Sequence, residues 1–139
     1  MQSIQELGEL EAAIAIAAIR EELIRRSKTA VIAVADAHGE LVSLLRMNGA
    51  PLSSVEVATR KCWTAARERI STGELGKMFQ KNGWQMLNSD PRFTGWDGGV
   101  PVRSKNAVVG SVAVSGLDQA EDAELARLGA ARIEEAIAK

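Results

Sequence analysis

The chain has 139 residues, of which 46% are hydrophobic, and this is the size of one ordinary domain with a buried core. Its formal net charge of −1 offers no basic field for phosphates, which argues against nucleic acid as a partner. A single cysteine cannot form an internal disulfide, and no apolar run reaches the ~20 residues that span a bilayer. We therefore expect a cytoplasmic protein without a membrane segment.

The first predicted element is a helix over residues 3–27. Apolar residues return at helical spacing, among them Ile4, Leu7, Ile14 and Leu23, and together they cover a broad arc. One sheet face cannot cover so wide an arc. We therefore expect a homo-oligomer in which a second copy covers the remainder.

A β-hairpin and two helices are predicted next. The runs TAVIAVAD and ELVSLLRM flank the short polar turn DAHG, which indicates two antiparallel strands. Ser53 and Glu56 have the spacing of a capping box and predict a helix that ends at about Arg69, with Cys62 on its inward stripe. A shorter helix is predicted over residues 72–80.

Two more strands and a final helix complete the predicted order. Residues 100–103 and 107–115 are rich in valine, and the second run is typical of a strand buried on both faces. A helix with acidic residues in its first turn follows Asp118. This order favours one α+β domain over residues 1–139, with an antiparallel rather than a parallel Rossmann sheet.

Several segments resemble a known family and occur in the order typical of it. They are the D-x-x-G turn, the R-M-x-G-A-P segment, the helix with Lys61, the GGVP turn and the V-S-G strand end. These segments are similar to those of the GlcG/HbpS-like family, also called the haem-degrading domain family. The resemblance implies a profilin-like or PAS-like fold, in which helices flank an antiparallel sheet, and compact homo-oligomers.

Two functions of different classes are consistent with this resemblance. The first is haem binding, with haem degradation or sensing as an associated activity. The alternative is a cofactor-independent enzyme that acts on a small organic acid in a catabolic pathway. Both functions need a site for a small planar or carboxylate-bearing ligand.

The candidate ligand-binding residues surround a glycine-rich block between Gly95 and Gly116. Arg46 and Lys61 are expected to point into one cleft and hold a carboxylate there, and the alternative is that both are solvated surface charges. Backbone N–H groups of the GGVP turn are expected to face the ligand, unless this turn is only the start of a strand. The other predicted ligand-binding residues are Gly98, Gly99, Pro101, Arg103, Ser115 and Gly116.

The catalytic candidates are Asp36, His38 and Asp97. His38 is the only histidine and could ligate haem iron or transfer a proton, although a polar residue in a tight turn also has a structural explanation. Asp36 and Asp97 are expected to flank one region together with Arg103, where burial of a carboxylate would favour acid–base catalysis. Cys62 is interpreted as a buried structural thiol.

Three aromatic residues and two acidic residues complete the set of candidates. Phe93, Trp84 and Trp96 could stack on a planar ligand or close the edge of the core. Glu121 and Glu124 have a spacing sometimes proposed for iron, but acidic residues at a helix start are explained by the helix dipole. We therefore predict no metal site.

Overall fold

The elements form in the order that the sequence predicts. The computed structural model describes residues 1–83 and 89–139, and these residues form four helices and four strands. Among the described residues, no helix combines the length and the apolar character needed to cross a membrane. The helices are α1 (Glu9–Arg25), α2 (Ser54–Glu68), α3 (Thr72–Asn82) and α4 (Gln119–Ile137), and the strands are β1 (Val31–Asp36), β2 (Leu41–Arg46), β3 (Gly99–Ser104) and β4 (Ala107–Ser115).

The four strands form one sheet in the order β2-β1-β4-β3, and every neighbouring pair is antiparallel. This confirms the predicted α+β class and excludes a parallel Rossmann arrangement of these strands. The central strands β1 and β4 are buried almost throughout, whereas the edge strand β2 is half-buried or exposed. Helices cover both faces of the central strands, and this explains why the sequences of β1 and β4 are continuous apolar runs.

Helices cover the two sheet faces in different ways. Successive residues of a strand point to opposite faces. The face that carries Ile32 and Val112 packs against α1 and α4 and forms the larger core. The face that carries Ala33 and Ala113 packs against α2, where small side chains let the helix approach closely. This close approach shapes the candidate site.

The first helix begins at Glu9 and not at residue 3 as predicted. The backbone N–H of Leu7 donates to the carbonyl oxygen of Val109 at 2.9 Å, so the preceding segment runs along β4 instead of joining the helix. The Leu7 side chain occupies space above Gly110, where a Cβ would come within 2.4 Å of it. Local periodicity cannot reveal a contact with a strand so far along the chain.

The second helix begins without the predicted capping box. Ser53 already has helical backbone angles, with φ −63° and ψ −21°, and its side chain makes no capping hydrogen bond. The N–H groups of Ser54 and Val55 instead donate to the carbonyl oxygens of Pro51 and Leu52, at 3.1 and 3.4 Å. A tight turn therefore satisfies the first N–H groups of this helix.

Helix α1 carries apolar side chains on two opposite faces, as its broad apolar arc predicts. The buried face extends from Ala12 to Leu23 and belongs to the larger core. On the opposite face Leu10, Ile14 and Ile24 remain 75%, 36% and 52% exposed. The sheet therefore covers only part of the apolar surface of this helix.

Candidate functional site

The sheet places the candidate residues at two opposite ends. Arg46 and Ser115 both pair with Val31 at one end, whereas Asp36 lies at the other end beside Gly110. A strand rises about 3.3 Å per residue, so the length of β1 separates the two ends by roughly 16 Å. We call the first the glycine end, which holds Arg46, Lys61, Asp97, Gly98, Gly99, Ser115 and Gly116, and the second the turn end, which holds Asp36, His38 and Arg103. Asp36, Asp97 and Arg103 therefore do not flank one region.

Lys61 is buried at the glycine end and forms an ion pair with Asp122. Both residues are 2% exposed. Lys61 Nζ lies 3.1 Å from Asp122 Oδ2 and donates to the carbonyl oxygen of Val114 at 2.9 Å. Asp122 Oδ1 accepts the N–H of Leu117 at 3.1 Å. One buried pair thus connects α2, the end of β4 and the first turn of α4.

The prediction that Lys61 and Arg46 point into one open cleft is wrong for Lys61. Its ammonium is enclosed by the protein and bonded to Asp122 and Val114, so it is neither a ligand-facing group nor a solvated surface charge. Arg46 is exposed at the end of β2. A ligand-binding role for Arg46 stays a prediction.

Burial changes the pKa of both members of this pair. Loss of hydration lowers the pKa of Lys61 and raises the pKa of Asp122, since it disfavours the charged form of each group. The attraction between the two charges opposes both shifts. The charged form of each group is therefore stabilised by the charge of its partner.

The glycine turn lies against this pair. Gly98 has φ +123°, and a Cβ there would lie 2.7 Å from Lys61 Nζ. The N–H of Gly98 donates to Asp97 Oδ1 at 2.9 Å, and the N–H of Gly99 donates to Thr72 Oγ1 at 3.0 Å. The prediction that these N–H groups face a ligand is therefore wrong, because side chains of the protein already accept both hydrogen bonds.

Asp122 is the residue of this cluster that the sequence analysis missed. In α4 the apolar residues Ala126, Ala130 and Ile133 are all buried and recur at helical spacing. Asp122 precedes Ala126 by four residues and therefore lies on the same face of the helix. An acidic residue on an apolar stripe was the available signal for a buried charge with a partner.

The remaining predicted residues near the glycine block differ in burial. Ser115 is 6% exposed, and Gly116, with φ +130°, lies close to Ala30 and Pro51. Pro101 is half-buried in the middle of β3, opposite Ser111. Ligand-binding roles for Ser115, Gly116 and Pro101 stay predictions.

The turn end brings His38 and Asp36 together with Glu6. His38 Nδ1 lies 3.2 Å from Glu6 Oε1, and the His38 side chain is 63% exposed. Asp36 Oδ1 accepts the N–H groups of His38 and Glu40 at 2.9 and 3.1 Å, which holds the turn in shape. One ligand atom from each of Glu6, Asp36 and His38 lies within 4.8 Å of the other two.

An open cavity of about 360 Å³ also lies at the turn end. Its lining includes the apolar side chains of Ile4, Ala37 and Val108 and the cationic side chains of Arg69 and Lys105. Gln5 and Ala37, which directly precede Glu6 and His38 in the chain, both line it. Apolar walls with a few charged groups are typical of small-molecule sites.

The guanidinium of Arg103 forms a hydrogen bond within the protein at the turn end. Its Nη2 donates to the carbonyl oxygen of Arg69 at 2.8 Å, while Arg69 Nη1 donates to the carbonyl oxygen of Val108 at 3.0 Å. These two bonds connect the β3–β4 hairpin with the end of α2. A ligand-binding role for Arg103 stays a prediction.

Cys62 is fully buried, as predicted for a structural thiol. Its Sγ donates to the carbonyl oxygen of Thr59 at 3.2 Å. Burial raises the pKa of the thiol to about 12. Because the thiolate is the reactive and metal-binding form, Cys62 is unsuited to either role.

The aromatic candidates have separate positions. Phe93 packs edge-on against Trp63, with 5.0 Å between ring centroids, and so contributes to the core edge. Trp96 is 57% exposed. Trp84 lies outside the described residues. A stacking role for Trp96 stays a prediction.

Glu121 and Glu124 form ion pairs at the start of α4. Arg26 at the end of α1 binds Glu121 Oε2 at 3.0 Å and Glu124 Oε2 at 2.9 Å. Lys28 also binds Glu121, at 2.7 Å. These acidic groups therefore connect two helices.

Comparison with known proteins identifies relatives of this arrangement. The model of the haem-degrading HbpS-like protein family matches residues 7–131. Protein GlcG of Escherichia coli strain K12 is 36% identical over 109 residues, which are 78% of this chain and 81% of GlcG. The crystal structure of a double mutant of HbpS from Streptomyces reticuli is similar with a TM-score of 0.88 at 30% identity, covering 94% of this chain and 89% of HbpS.

A further solved structure shares the fold. The crystal structure of a complex of PduOC with haem has a TM-score of 0.83 at 24% identity, covering 91% of this chain and 94% of that chain. This likeness concerns the fold. Helices that flank an antiparallel sheet, as the sequence resemblance implies, are thus found in several solved structures.

Proposed function

This chain belongs to the HbpS-like family of haem-degrading proteins, and from that membership we propose that it binds haem. The family match covers most of the chain and is the observation that carries the proposal. Haem is planar and carries two carboxylates, which agrees with the predicted ligand class. The turn end supports the proposal through the chemistry of its residues.

His38 fits the role of iron ligand. Imidazole is a common axial ligand of haem iron, and His38 is the only histidine in the chain. Its Nδ1 faces the Glu6 carboxylate at 3.2 Å, and a metal-bound histidine usually directs its second ring nitrogen to such a group. The arrangement leaves Nε2 for the iron. The buried Cys62 offers no competing thiolate.

The cavity at the turn end would hold the remainder of the haem. Ile4, Ala37 and Val108 supply apolar surface for the porphyrin, and Lys105 supplies a cation for a propionate. When bound, haem would supply a redox-active iron. The chain itself would contribute the orientation of the His38 ring, which the Glu6 carboxylate holds through Nδ1.

Haemin titration is expected to saturate near one haem per chain with a sharp Soret shift. In His38→Ala the side chain that would hold the iron is removed, so we expect the shift to be lost and the Kd to rise by about tenfold or more. Visible spectroscopy with increasing haemin measures both effects.

Arg46→Ala is the matched control, because Arg46 lies at the opposite end of the sheet. It should bind haemin like the parent protein. Weaker binding in Arg46→Ala with unchanged binding in His38→Ala would place the haem at the glycine end. Binding by the parent protein that never saturates would contradict the haem proposal itself.

We also propose that a second copy of the chain covers the exposed face of α1. Leu10, Ile14 and Ile24 form this face, and an open cavity of about 580 Å³ adjoins it at Ile24 and is also lined by Ala17 and Ser43. Exposed apolar side chains that recur along one helix face are typical of an interface. Closed symmetric oligomers are the usual result.

Replacing Ile14 by aspartate is expected to dissociate this oligomer, since the new charge would be buried without a partner. Light scattering at micromolar concentration should give 14.9 kDa for Ile14→Asp and at least twice that mass for the parent protein. Leu52→Asp makes the same chemical change at a residue that is 79% exposed and precedes α2, and it should remain oligomeric. A monomeric parent protein would refute the proposed interface.

The alternative function, an enzyme for small organic acids, would have to use groups other than the Lys61–Asp122 pair. Both of these side chains are enclosed and out of reach of a substrate. If the haemin titration fails, this enzyme becomes the better candidate. Asp36 and Asp97 are then the residues to replace first.

A further inference from the structure

The two edges of the sheet differ in how their outer backbone groups are satisfied. The order β2-β1-β4-β3 makes β2 and β3 the edge strands. In an antiparallel sheet, the N–H and C=O groups of successive residues on an edge strand point alternately toward the neighbouring strand and away from it. An edge with unpaired groups is a template for another strand, and proteins usually protect it.

The outer edge of β3 is protected by the rest of the chain. The N–H of Gly99 donates to Thr72 Oγ1 at 3.0 Å, and the N–H of Arg103 donates to Glu134 Oε1 at 3.3 Å. Pro101, which lies between these two residues, has no N–H to offer. Strand β3 therefore has no free N–H group for another strand at these positions.

The outer edge of β2 lacks this protection. The N–H of Met47 donates to the carbonyl oxygen of Ala30 at 3.2 Å, and β2 pairs regularly with β1 after a single register shift near the turn. By alternation, Leu45 bonds to β1, whereas the N–H and C=O groups of Leu44 and Arg46 point outward. Among the described residues, no hydrogen-bond partner lies beside these outward groups.

The side chains of β2 do not protect its edge either. Natural edge strands are commonly protected by proline or by charged side chains, above all lysine. The sequence of β2, LVSLLR, contains no proline, and its charged residue is the last one. Leu41 at the other end is 46% exposed. Strand β2 is therefore suited to pairing with another strand.

Helix α1 presents its exposed apolar side chains toward this same edge. Ala17 and Ile24 of α1 line one open cavity together with Ser43 of β2, so this side of the helix faces the free edge. Leu10 and Ile14 precede Ala17 by seven and three residues and therefore lie on the same side of α1. The unpaired strand edge and the exposed helix face thus form one continuous surface.

The position of α1 favours a second copy of the chain as the partner of β2. Helix α1 packs over both β1 and β2. If two copies pair through β2 about a two-fold axis, both α1 helices lie on the same side of the joined sheet. Strands about 4.8 Å apart then place the two helix axes about 10 Å apart, close to the usual packing distance of about 8–10 Å. An extended peptide could pair with the edge, but it would leave α1 exposed.

We propose that β2 pairs with β2 of a second copy and joins the two sheets into one across a two-fold axis. This proposal rests on the second copy proposed above and names the strand edge through which it binds. Leu44 of each copy would lie opposite Arg46 of the other, and each such pair would exchange both of its backbone hydrogen bonds. Leu45 would lie opposite itself, so the surface is complementary to its own copy, as a two-fold interface requires.

Amide hydrogen exchange of the ¹⁵N-labelled full chain tests the pairing. In the oligomeric parent protein, the N–H groups of Leu44 and Arg46 are expected to exchange as slowly as that of Leu45, which is bonded to β1 in either state. In Ile14→Asp, which separates the copies, exchange at Leu44 and Arg46 should become about a hundredfold faster or more while Leu45 remains slow. Fast exchange at Leu44 and Arg46 in an oligomeric parent would overturn the edge pairing and leave the α1 interface in place. A monomeric parent would refute both.

A variant at Arg46 tests the same backbone bond by light scattering. Arg46→Pro removes the outward N–H without removing a bond to β1, and proline is tolerated where the N–H side of an edge strand faces solvent. Its mass should fall below that of the parent protein, whereas Arg46→Ala, the matched control, loses the side chain but keeps the N–H and should retain the parent's mass. A lower mass in both variants, or in neither, would overturn the backbone pairing. If Arg46→Pro does not fold, the exchange rates of the parent protein decide the question, since they require no variant.

Discussion

Replacing Lys61 by methionine is expected to lower the free energy of unfolding by about 3–5 kcal/mol, the usual cost of removing one partner from a buried ion pair. Methionine fills much of the space but leaves the buried carboxyl group of Asp122 without its ammonium partner. The loss is large compared with a total stability of about 5–15 kcal/mol. Urea denaturation followed by circular dichroism measures it.

Two variants separate the charge from other effects at Lys61. In the double variant Lys61→Met with Asp122→Leu, both charges are removed, so much of the stability should return. Lys77→Met makes the same change at an exposed residue of α3 and should alter stability by less than about 0.5 kcal/mol. If Lys61→Met unfolds at the parent's urea midpoint, the ion pair does not hold the three elements together.

Gly98→Ala is expected to destabilise the protein by about 3 kcal/mol or more, through two effects that add. A residue with a Cβ is strained at φ +123°. In addition, the new Cβ would lie 2.7 Å from both Lys61 Nζ and the carbonyl oxygen of Val114, and so would displace the buried pair. Thermal and urea denaturation of the purified variant measure the loss.

Gly83→Ala is the matched control for this change. Gly83 also has a positive φ, +91°, but a Cβ there would have nothing within 4 Å. With φ +91° and ψ +160° it lies in a backbone region used almost only by glycine, so Gly83→Ala should show the backbone cost alone, about 1–3 kcal/mol. Equal losses in the two variants would mean that the contact between Gly98 and the buried pair contributes nothing to stability.

The sequence predicted several of the residues that form the candidate site, but not the contacts that these residues make. Lys61 and the glycine turn were predicted to line one ligand-binding cleft, and the structure does bring them together, but around a buried ion pair. The ion pair between Lys61 and Asp122 could not be predicted, since Asp122 lies on another helix and its burial depends on how α4 packs. His38 was selected as the only histidine, but its contact with Glu6 depends on an N-terminal segment that was predicted to be helical.

The sequence by itself determined the kind and order of the elements, the antiparallel α+β class, the inward position of Cys62 and the broad apolar arc of α1. These properties depend on spacing within single segments, where the periods of helix and strand act locally. The tertiary structure alone decided that the candidates lie at two ends of the sheet, that Lys61 is closed off by Asp122, and that the outward N–H groups of β2 have no partner among the described residues. Each of these depends on contacts between segments far apart in the chain, which strand register and helix packing create and which no local period encodes.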